Sequence, residues 1–499
     1  MFMNMCCFQG GYSNMNELEK ILRADYEKWK DNEYLHEMVD GKYKAVTFGE
    51  FIEKVNYLAS YLLSRGYKGK NIGIYSPNSI DWMIADVAVM NYIGIAVGLS
   101  KDWVGDNLDY AIGKCDISCL LYSKVNETHV DGVRGKYPEV EFICIEDSFA
   151  GMLEEGKKLC DGLFKLEPAD EDAPVKIVFT SGSTSFPKAV MLSVKNIFSS
   201  YEALARRVPF NEHDVCYLFL PLNHTYGSIF NFLYSLVFGF NIYLTGDIKN
   251  MAQEMMLVKP TVFCAVPLVY TRFLEGAKAM NVPLKALLGG ELKYAFIGGS
   301  VLPHSLRQAY IDAGINLMNA YALSETSSGF SIDYPDVTDL DSAGTLLEYV
   351  DAKVKDPDVE GYGELAIKGP NVFGGYYNDP EATKRAFDED GYYLTGDIGK
   401  ISGGIVYVRG RKDTMIVLSN GENVSSARIA DKVKAADPRI ASVKAFVRDG
   451  ELTCNIFVKA GESTGGDWQA VIDRVNEDLS KYEKIRKFSV ADVSTLIKG

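Results

Sequence analysis

The sequence predicts an α/β fold in which mostly parallel strands are covered by helices. The first observation is that apolar, β-branched runs alternate with segments of helical period between residues 47 and 193. Alternation of this kind is typical of parallel sheets with helices on both faces. The second observation is the size of the chain, which has 499 residues of which 47% are hydrophobic. A chain of this length usually divides into more than one domain.

The elements of this fold can be followed along the first part of the chain. Thr47 and Glu50 form a capping-box pattern, apolar residues recur at helical spacing behind it, and Gly66 stands where that helix should end. Short strands are then predicted at 71–76, 93–99, 119–122, 142–145 and 175–179, with helical segments between them.

The pattern changes twice in the second half of the chain. From Gly361 the sequence consists of short β-rich runs punctuated by glycine, and after Arg411 strand-like and helix-like segments alternate again. We therefore predict a large N-terminal domain at 15–411, with a β-rich subdomain at about 340–411, and a small α+β domain at 412–499. Residues 1–14 have no basic segment and are expected to form a disordered leader.

Charge, cysteine content and hydropathy argue against several classes of protein. A net charge of −15 disfavours nucleic acid as a partner. The nine cysteines include no C-x-x-C pair, which favours a reduced, cytoplasmic protein over a disulfide scaffold. The apolar stretches at 80–99 and 227–244 are interrupted by polar residues. We interpret both as buried helices leading into strands and expect no transmembrane segment.

The strand predicted at 175–179 is followed by a loop of unusual composition, TSGSTSFPKAVML at Thr180–Leu192. Backbone amides and hydroxyls of such a loop can converge on phosphate oxygens, and Gly182 allows close approach. Pro187 fixes the turn before Lys188, whose point charge suits a polyphosphate. The alternative interpretation is a flexible, serine-rich surface loop. A Walker-type loop is excluded because Pro187 stands where its second glycine belongs.

Further motifs follow in a fixed order: LPLNHTYG at 220–227, YAFIGGSVLP at 294–303, NAYALSE at 319–325, GYYLTGDIG at 391–399 and VRGRKDTMIVLSNGENV at 408–424. With the loop at Thr180, this set resembles the adenylate-forming (AMP-binding) enzyme superfamily, and acyl-CoA synthetases of the fatty-acid–CoA ligase type in particular. The resemblance implies stacked, mostly parallel sheets, a distorted β-barrel subdomain, and a small mobile C-terminal domain with its hinge at Asp413.

The resemblance assigns most of these motif residues to ATP. They are Thr180, Ser181, Gly182, Ser183, Thr184 and Lys188 around the β- and γ-phosphates, Ser324 at the α-phosphate, Tyr321 stacked on adenine, Gly299, Ser300, Asn319, Ala320 and Ala322 beside it, and Asp397 and Arg411 at the ribose. Glu325 is implied as the ligand of Mg²⁺, which suits one carboxylate combined with phosphate oxygens.

Other residues are implied to contact the acid and coenzyme A. The acid is assigned to His224, Tyr226, Gly227, Gly298 and Leu323. The aromatic segment at 230–240 suggests an apolar wall, which favours a fatty or other apolar acid. The loop Gly421, Glu422 and Asn423 is implied to line the path of the coenzyme A thiol.

The sequence departs from the family pattern at several positions. Ser185 and Ala189 replace glycines of the phosphate loop, and Ala322 replaces the glycine after Tyr321. A Cβ at a position with positive φ costs about 1 kcal/mol or more. The family's C-terminal Gly-Lys is absent, and Lys498 is the positional candidate for its catalytic lysine. Two other lysines, Lys484 and Lys487, belong to an earlier segment.

These observations lead to three hypotheses. The first is ATP-dependent activation of a medium- or long-chain fatty or other apolar acid to an acyl-adenylate, followed by transfer to coenzyme A. The second keeps the adenylation but delivers the acyl group to the phosphopantetheine of a separate acyl carrier protein. The third is a weakened adenylate-binding or sensor protein. The chain length of the acid stays open, as does the choice between a monomer and a homodimer.

Overall fold

The computed structural model describes residues 15–180, 186–299, 302–327, 329–336, 339–412, 415–417, 423–448, 451–477, 479 and 484–493. The chain packs as two compact units. The first unit runs to Asp351 and also includes Ile367–Tyr393. The second unit consists of Ala352–Ala366 and the chain from Leu394 onward.

The strands are, in chain order, β1 (Glu33–Val39), β2 (Lys42–Thr47), β3 (Asn71–Tyr75), β4 (Ile95–Gly98), β5 (Ile117–Tyr122), β6 (Glu141–Cys144), β7 (Pro174–Thr180), β8 (Lys188–Ser193), β9 (Val215–Leu218), β10 (Asn241–Leu244), β11 (Val262–Ala265), β12 (Tyr294–Ile297), β13 (Leu317–Tyr321), β14 (Ser331–Ile332), β15 (Thr345–Leu346), β16 (Asp351–Lys355), β17 (Gly363–Lys368), β18 (Gly375–Tyr376), β19 (Tyr393–Ser402), β20 (Ile405–Arg411), β21 (Met415–Val417), β22 (Asn423–Ser425), β23 (Ile440–Arg448), β24 (Glu451–Val458) and β25 (Lys487–Asp492).

The α-helices are α1 (Glu17–Trp29), α2 (Phe48–Ser64), α3 (Ile80–Ala88), α4 (Asp106–Lys114), α5 (Glu127–Arg134), α6 (Ile145–Leu159), α7 (Val194–Phe198), α8 (Tyr201–Arg207), α9 (Tyr234–Phe238), α10 (Met251–Val258), α11 (Pro267–Met280), α12 (Leu284–Leu287), α13 (His304–Asp312), α14 (Pro380–Ala386), α15 (Ser426–Ala436) and α16 (Trp468–Glu477). Short π-helical turns occur at Val89–Ile93 and Tyr226–Leu233, and 3-10 turns at Lys124–Asn126, Ile248–Asn250 and Ser324–Thr326.

Helix α2 begins as the capping-box pattern predicts. The Glu50 amide donates to Thr47 Oγ1 at 3.1 Å, and the Thr47 amide donates to Glu50 Oε2 at 2.9 Å. The helix ends before Gly66, which has a φ of 81° that favours glycine. Its apolar face is buried, which explains why the helical spacing of that face was visible in the sequence.

One sheet of the first unit has seven strands in the order β18-β8-β7-β4-β3-β5-β6. The strands β7, β4, β3, β5 and β6 are parallel, whereas β8 and β18 are antiparallel to their neighbours. The predicted phosphate loop therefore connects a parallel strand to an antiparallel one. The register pairs Thr180 at the end of β7 with Lys188 at the start of β8.

The other sheet of the first unit contains the strands that carry the later motifs. Strands β10, β9, β11, β12 and β13 are parallel neighbours, with β1 parallel to β10 at one side. On the other side β14 and β15 are antiparallel to β13 and to each other. Since carboxyl ends of parallel strands share one edge of a sheet, the motifs after β9, β12 and β13 lie along the same edge.

The second unit contains antiparallel β strands and an α+β portion. Strands β16, β17, β19 and β20 are neighbours in that order, and β23, β24 and β25 form a separate three-stranded sheet. Helices α15 and α16 and that sheet share an apolar core that includes Ile429, Val433, Cys454, Ile456 and Trp468. The resemblance implied a distorted β-barrel subdomain, but the described strands pair in open sheets and form no closed barrel. The domain boundary predicted at Lys412–Asp413 stays a prediction, and Asp413 lies outside the described residues.

The α/β fold with mostly parallel sheets is confirmed, while some element boundaries differ from the prediction. The strand expected at 93–99 begins at Ile95, because the π-helical turn Val89–Ile93 precedes it. The strand expected at 142–145 ends at Cys144, since Ile145 is the first residue of α6. The apolar stretches at 80–99 and 227–244 are buried helical turns leading into β4 and β10. Within the described ranges, every helix is too short or too polar to cross a bilayer.

Candidate active site

The phosphate loop and the Glu325 motif meet at a tyrosine that the sequence analysis did not identify. Lys188 is half-buried, and its Nζ lies 4.8 Å from the centroid of the Tyr376 ring. The Tyr376 hydroxyl donates to Glu325 Oε1 at 2.8 Å. The lysine assigned to phosphate and the carboxylate assigned to the metal thus contact the ring and the hydroxyl of one tyrosine, which belongs to β18 at the sheet edge.

Glu325 is held in place by its main chain. It lies in the 3-10 turn Ser324–Thr326 directly after β13, and its carbonyl accepts the amide of Phe373 at 2.9 Å. The Asn371 side chain donates to the carbonyls of Thr326 and Gly329. Segment 371–376 therefore fixes the turn from the other side.

The Glu325 side chain fits the role of a cation ligand. It is buried, with 7% exposure, and forms no ion pair with any described residue. Its carboxylate has capacity for acceptor interactions beyond the one hydrogen bond from Tyr376. Among the described residues there is no cluster of three or more His, Cys, Asp or Glu side chains suited to a metal. A cation at Glu325 would therefore depend on ligands from a bound molecule, as Mg²⁺ does with nucleotide phosphates.

Strand β13 carries several of the predicted adenine residues, and one of them, Asn319, forms hydrogen bonds within the protein. The Asn319 side-chain amide donates to the carbonyl of Ser342 at 2.9 Å, and its backbone amide donates to Asp333 Oδ2 at 2.9 Å. Asp333 is in turn fully buried against Arg307 at 2.6 Å. These contacts make Asn319 a positioning residue for the end of β13.

Tyr321 ends β13 and is half-buried. Its ring packs edge-to-face on Phe330, with the centroids 4.5 Å apart. Gly329 lies close to the Tyr321 carbonyl and to Ala322, with a φ of 112°. The Tyr321 ring is therefore oriented by its neighbours at the edge where the nucleotide is expected.

Two of the residues predicted to contact the acid, Gly298 and Tyr226, lie close to each other and to Ala320. A Cβ added at Gly298 would lie 2.9 Å from the Ala320 carbonyl oxygen and 3.6 Å from Tyr226 Cε1. Gly227 is required locally, since a Cβ there would lie 2.3 Å from the Pro221 carbonyl oxygen. Burial raises the pKa of Tyr226 well above its ordinary value and lowers the pKa of His224. Both side chains are therefore neutral near pH 7.

A small apolar cavity lies behind Ala320. It has a volume of about 10 Å³, room for about one water molecule. Sequence reasoning anticipated Phe230 of the aromatic segment as one of its walls, but it missed the residues that reach the cavity from distant elements. The full lining is Ser200, Leu204, Phe230, Tyr234, Ala320, Gly329, Ser331, Ile332 and Leu347.

The two residues predicted at the ribose are paired in the second unit. Asp397 and Arg411 face each other across the β19–β20 hairpin, with Arg411 Nη1 3.4 Å from Asp397 Oδ1. The same Nη1 donates to the Thr395 carbonyl at 2.9 Å, and the Asp397 amide donates to Thr395 Oγ1. Asp397 is buried, with 4% exposure. A preorganised carboxylate and guanidinium of this kind can bind vicinal hydroxyls.

The two replaced glycines that fall within the described residues cause no backbone strain. Ala189 is buried in the extended strand β8, where it pairs with Phe179. Neither Ala189 nor Ala322 has a positive φ. Lys484 and Lys487 precede or begin β25, as the sequence suggested, and Lys487 pairs with Glu451.

Several predicted site residues lie outside the described residues. They are Ser181, Gly182, Ser183, Thr184, Ser185, Ser300, Asp413, Gly421, Glu422 and Lys498. Asn423 begins strand β22. The assignments of all these residues stay predictions.

Comparison with known proteins identifies the family of this chain. The family model described as AMP-binding enzyme matches residues 22–377, more than half of the chain. This chain therefore belongs to the AMP-binding enzyme family. The predicted resemblance and the prediction of an enzyme of this class are confirmed.

Its relatives include Long-chain-fatty-acid–CoA ligase 5 of Rattus norvegicus, 26% identical over 79% of this chain and 68% of the relative. Long-chain-fatty-acid–CoA ligase 6 of Homo sapiens is 27% identical over 78% of this chain and 65% of the relative. The chain thus spans about two thirds of the length of these mammalian proteins. Among solved structures, the anthranilate CoA ligase AuaEII in complex with anthranoyl-AMP has a TM-score of 0.82 at 19% identity, covering 96% of this chain and 93% of that chain. That likeness supports the fold.

Proposed function

We propose that this enzyme uses ATP to activate a carboxylic acid as its acyl-adenylate and then transfers the acyl group to the thiol of coenzyme A. The observation that supports the proposal is that Lys188 lies over the Tyr376 ring while Glu325 accepts the Tyr376 hydroxyl, so that the two charged side chains adjoin one tyrosine. A lysine for the phosphates and a carboxylate with acceptor capacity for their cation are what a nucleoside triphosphate requires.

In the first half-reaction, a carboxylate oxygen of the acid attacks the α-phosphorus of ATP. The bond from that phosphorus to the bridging oxygen breaks, and pyrophosphate leaves with the electron pair. In this proposal Lys188 neutralises the β- and γ-phosphates, Ser324 contacts the α-phosphate and Glu325 holds Mg²⁺. The bound Mg²⁺ would supply charge neutralisation at the phosphates. Tyr321, Asp397 and Arg411 position the adenosine.

In the second half-reaction, the sulfur of coenzyme A attacks the acyl carbonyl. The carbon–oxygen bond to AMP breaks, AMP leaves, and the thiol proton is lost to solvent. Because the pKa of His224 is lowered by its surroundings, its imidazole is neutral near pH 7 and does not add positive charge beside the acyl group. In this proposal His224 lines the acyl site and does not act as a base.

We propose an apolar acid of medium or long chain as the substrate. The cavity behind Ala320 is lined mainly by apolar side chains, and the relatives are named for long-chain fatty acids. Pockets for small ligands usually have volumes of roughly 300–1,000 Å³. The cavity is far smaller, so it can hold only a part of such a ligand as it stands.

ATP–pyrophosphate exchange over a panel of carboxylic acids tests this proposal. We expect exchange that depends on an apolar acid, and Glu325→Gln should lower it by about a hundredfold or more. Glu254→Gln is a matched control, because Glu254 is also a buried glutamate that accepts a tyrosine hydroxyl, from Tyr217 at 2.8 Å. That control should retain exchange.

The same assay distinguishes the alternative functions. AMP release on adding coenzyme A supports the synthetase, whereas AMP release only with a phosphopantetheinylated carrier protein supports the carrier-loading ligase. ATP binding without exchange for any acid would contradict both and favour the weakened adenylate-binding protein.

A further inference from the structure

Four large apolar side chains are exposed together on one side of the first unit. Met256 and Leu257 are 45% and 69% exposed at the carboxyl end of α10. Met280 and Val282 are 56% and 40% exposed at the carboxyl end of α11 and just beyond it. Large apolar residues scattered singly over a surface are normal, but a group of them calls for an explanation.

The two helix ends adjoin each other through α12. Helix α12 packs against both α10 and α11. A Cβ added at Gly289, just after α12, would lie 2.6 Å from the Met255 carbonyl oxygen and 2.9 Å from Lys259 Cα. The exposed side chains therefore form one surface, which we call the basal patch: Met256, Leu257, Lys259, Lys278, Met280, Val282 and Lys285.

The basal patch lies away from the candidate active site. Helix α10 leads into strand β11, and α11 leads through the short α12 into β12, so the carboxyl ends of α10 and α11 are at the amino-terminal edge of the parallel sheet. Gly298 and Glu325 follow the carboxyl ends of β12 and β13, at the opposite edge. A partner on the basal patch would leave that edge accessible.

The charge around the basal patch is opposite to that of the whole chain. Residues 256–293 contain five Lys or Arg and two Glu, a net charge of +3 in a chain of −15. Lys259, Lys278 and Lys285 are exposed and form no ion pair with any residue that the structure describes. Exposed Met, Leu and Val side chains surrounded by unpaired lysines match the apolar–anionic boundary of a phospholipid bilayer.

We propose that the basal patch docks on the surface of a bilayer rich in anionic phospholipid. Met256, Leu257, Met280 and Val282 enter the boundary between headgroups and acyl chains, and the three lysines contact the headgroups. A second copy of the chain is a weaker candidate as the occupant, because a symmetric dimer through the basal patch would bring the unpaired lysines of the two chains together. The proposal does not depend on the reaction proposed above.

Sedimentation with phospholipid vesicles tests this docking on the full chain, without ATP or acid. We expect the protein to pellet with vesicles of equimolar phosphatidylcholine and phosphatidylglycerol, and to remain in the supernatant with phosphatidylcholine alone. Added salt should release it, since the headgroup contacts of the lysines are screened.

Two double variants locate the surface. Met256→Ser/Leu257→Ser should lower the partition coefficient by about tenfold or more because two exposed apolar side chains are lost. Lys278→Gln/Lys285→Gln should lower it by a comparable factor and weaken the salt dependence. The matched controls are Val125→Ser with Val359→Ser, whose residues are 73% and 105% exposed elsewhere, and Lys44→Gln with Lys158→Gln. Both control variants should bind as the unchanged protein does.

Three outcomes would overturn the proposal. The unchanged protein stays in the supernatant with both vesicle types, or it pellets and the patch variants pellet equally well. The third is a dimer in lipid-free solution that the patch variants abolish, which would assign the basal patch to a second copy. Thermal unfolding of each variant verifies that the substitutions leave the fold intact.

Discussion

At the scale of single residues, the contact of Tyr376 with Glu325 joins positions 51 residues apart in the chain. The motifs indicated Lys188 and Glu325 because each stands within a local pattern of small or hydroxylated residues. Tyr376 has no such pattern around it, and its position depends on tertiary contacts such as the pairing of β18 with β8. The motif around Asn319 likewise did not show that its side-chain amide donates to the Ser342 carbonyl, and the predicted nucleotide contact of Asn319 stays a prediction. A local pattern cannot show which partners the rest of the fold supplies.

The Tyr376 hydroxyl provides a direct test of this arrangement. Tyr376→Phe should lower kcat/KM for ATP by about tenfold, because Glu325 loses the hydrogen bond that orients its carboxylate. The free energy of unfolding should fall by about 1 kcal/mol. Steady-state kinetics and urea unfolding measure the two effects. Tyr217→Phe removes the hydroxyl bonded to Glu254 and is the matched control; an equal loss of kcat/KM in that variant would contradict the role of Tyr376.

A buried ion pair between β7 and α3 tests how a charged pair contributes to the stability of the core. Lys176 Nζ lies 2.6 and 2.7 Å from the two oxygens of Asp86, and the side chains are 0% and 1% exposed. Asp86→Ala should lower the free energy of unfolding by about 3–5 kcal/mol, since it leaves the ammonium uncompensated. Lys176→Met/Asp86→Leu should recover most of that loss. The exposed Lys195–Asp172 pair is the control, and its loss should cost less than about 1 kcal/mol.

The carboxyl group of Asp25 should make stability depend on pH. Burial raises its pKa from 3.8 to about 7, while Lys28 opposes the shift. The folded state therefore binds a proton more tightly than the unfolded state, and this contribution is present below the unfolded pKa and lost as pH rises through about 7. Asp25→Asn should raise the free energy of unfolding at about pH 8 by roughly 1–3 kcal/mol and have little effect near pH 4. Urea unfolding at both pH values checks this, and an equal effect at both would contradict it.

At the scale of elements, the sequence indicated the strands most clearly where they are central and mostly buried, as in β3 and β7. The helix boundary at Thr47 was also visible, because a capping box is a purely local signal. The sequence did not indicate the π-helical turns Val89–Ile93 and Tyr226–Leu233, since their apolar residues fit a buried helix or a buried strand equally well. The packing of neighbouring elements decides between these conformations.

The packing of α6 against α2 gives a test at this scale. A Cβ at Gly156 would lie 1.9 Å from the Tyr57 carbonyl oxygen of α2, whereas a Cβ at Gly151 in the same helix meets no atom within 4 Å. Gly156→Ala should therefore lower the free energy of unfolding by about 1–3 kcal/mol. Gly151→Ala should raise it by about 0.5–1 kcal/mol, because alanine favours the helix. Thermal unfolding of both variants gives the comparison, and equal effects of the two would show that the helices do not meet closely.

At the scale of the whole molecule, the class of fold could be predicted because the alternation of strands and helices extends over hundreds of residues. The assignment of the last lysine could not be checked in the same way, since Lys498 lies outside the described residues. If Lys498 is the catalytic lysine, its loss should slow the adenylation half-reaction and leave the thioester-forming half-reaction intact. The family resemblance gives a lysine at this end a role in adenylation alone.

Lys498→Ala should therefore lower acid-dependent ATP–pyrophosphate exchange by about a hundredfold or more, because a charge at the attacking carboxylate is lost. Thioester formation from a supplied acyl-adenylate should continue at close to the original rate. Both rates are measurable with the same acid and coenzyme A. Lys484→Ala serves as the comparison, and unchanged exchange in Lys498→Ala would rule out the terminal lysine.

The second unit is assembled from two separated parts of the chain, with Ile367–Tyr393 of the first unit between them. On the ribosome, Ala352–Ala366 therefore emerges well before the strands with which it will pack, and those early residues must wait for the polypeptide that follows Leu394. While residues 367–393 are being synthesised, nearly all strands of the first unit are already available for pairing. The second unit can therefore fold only after the residues that follow Leu394 have been synthesised.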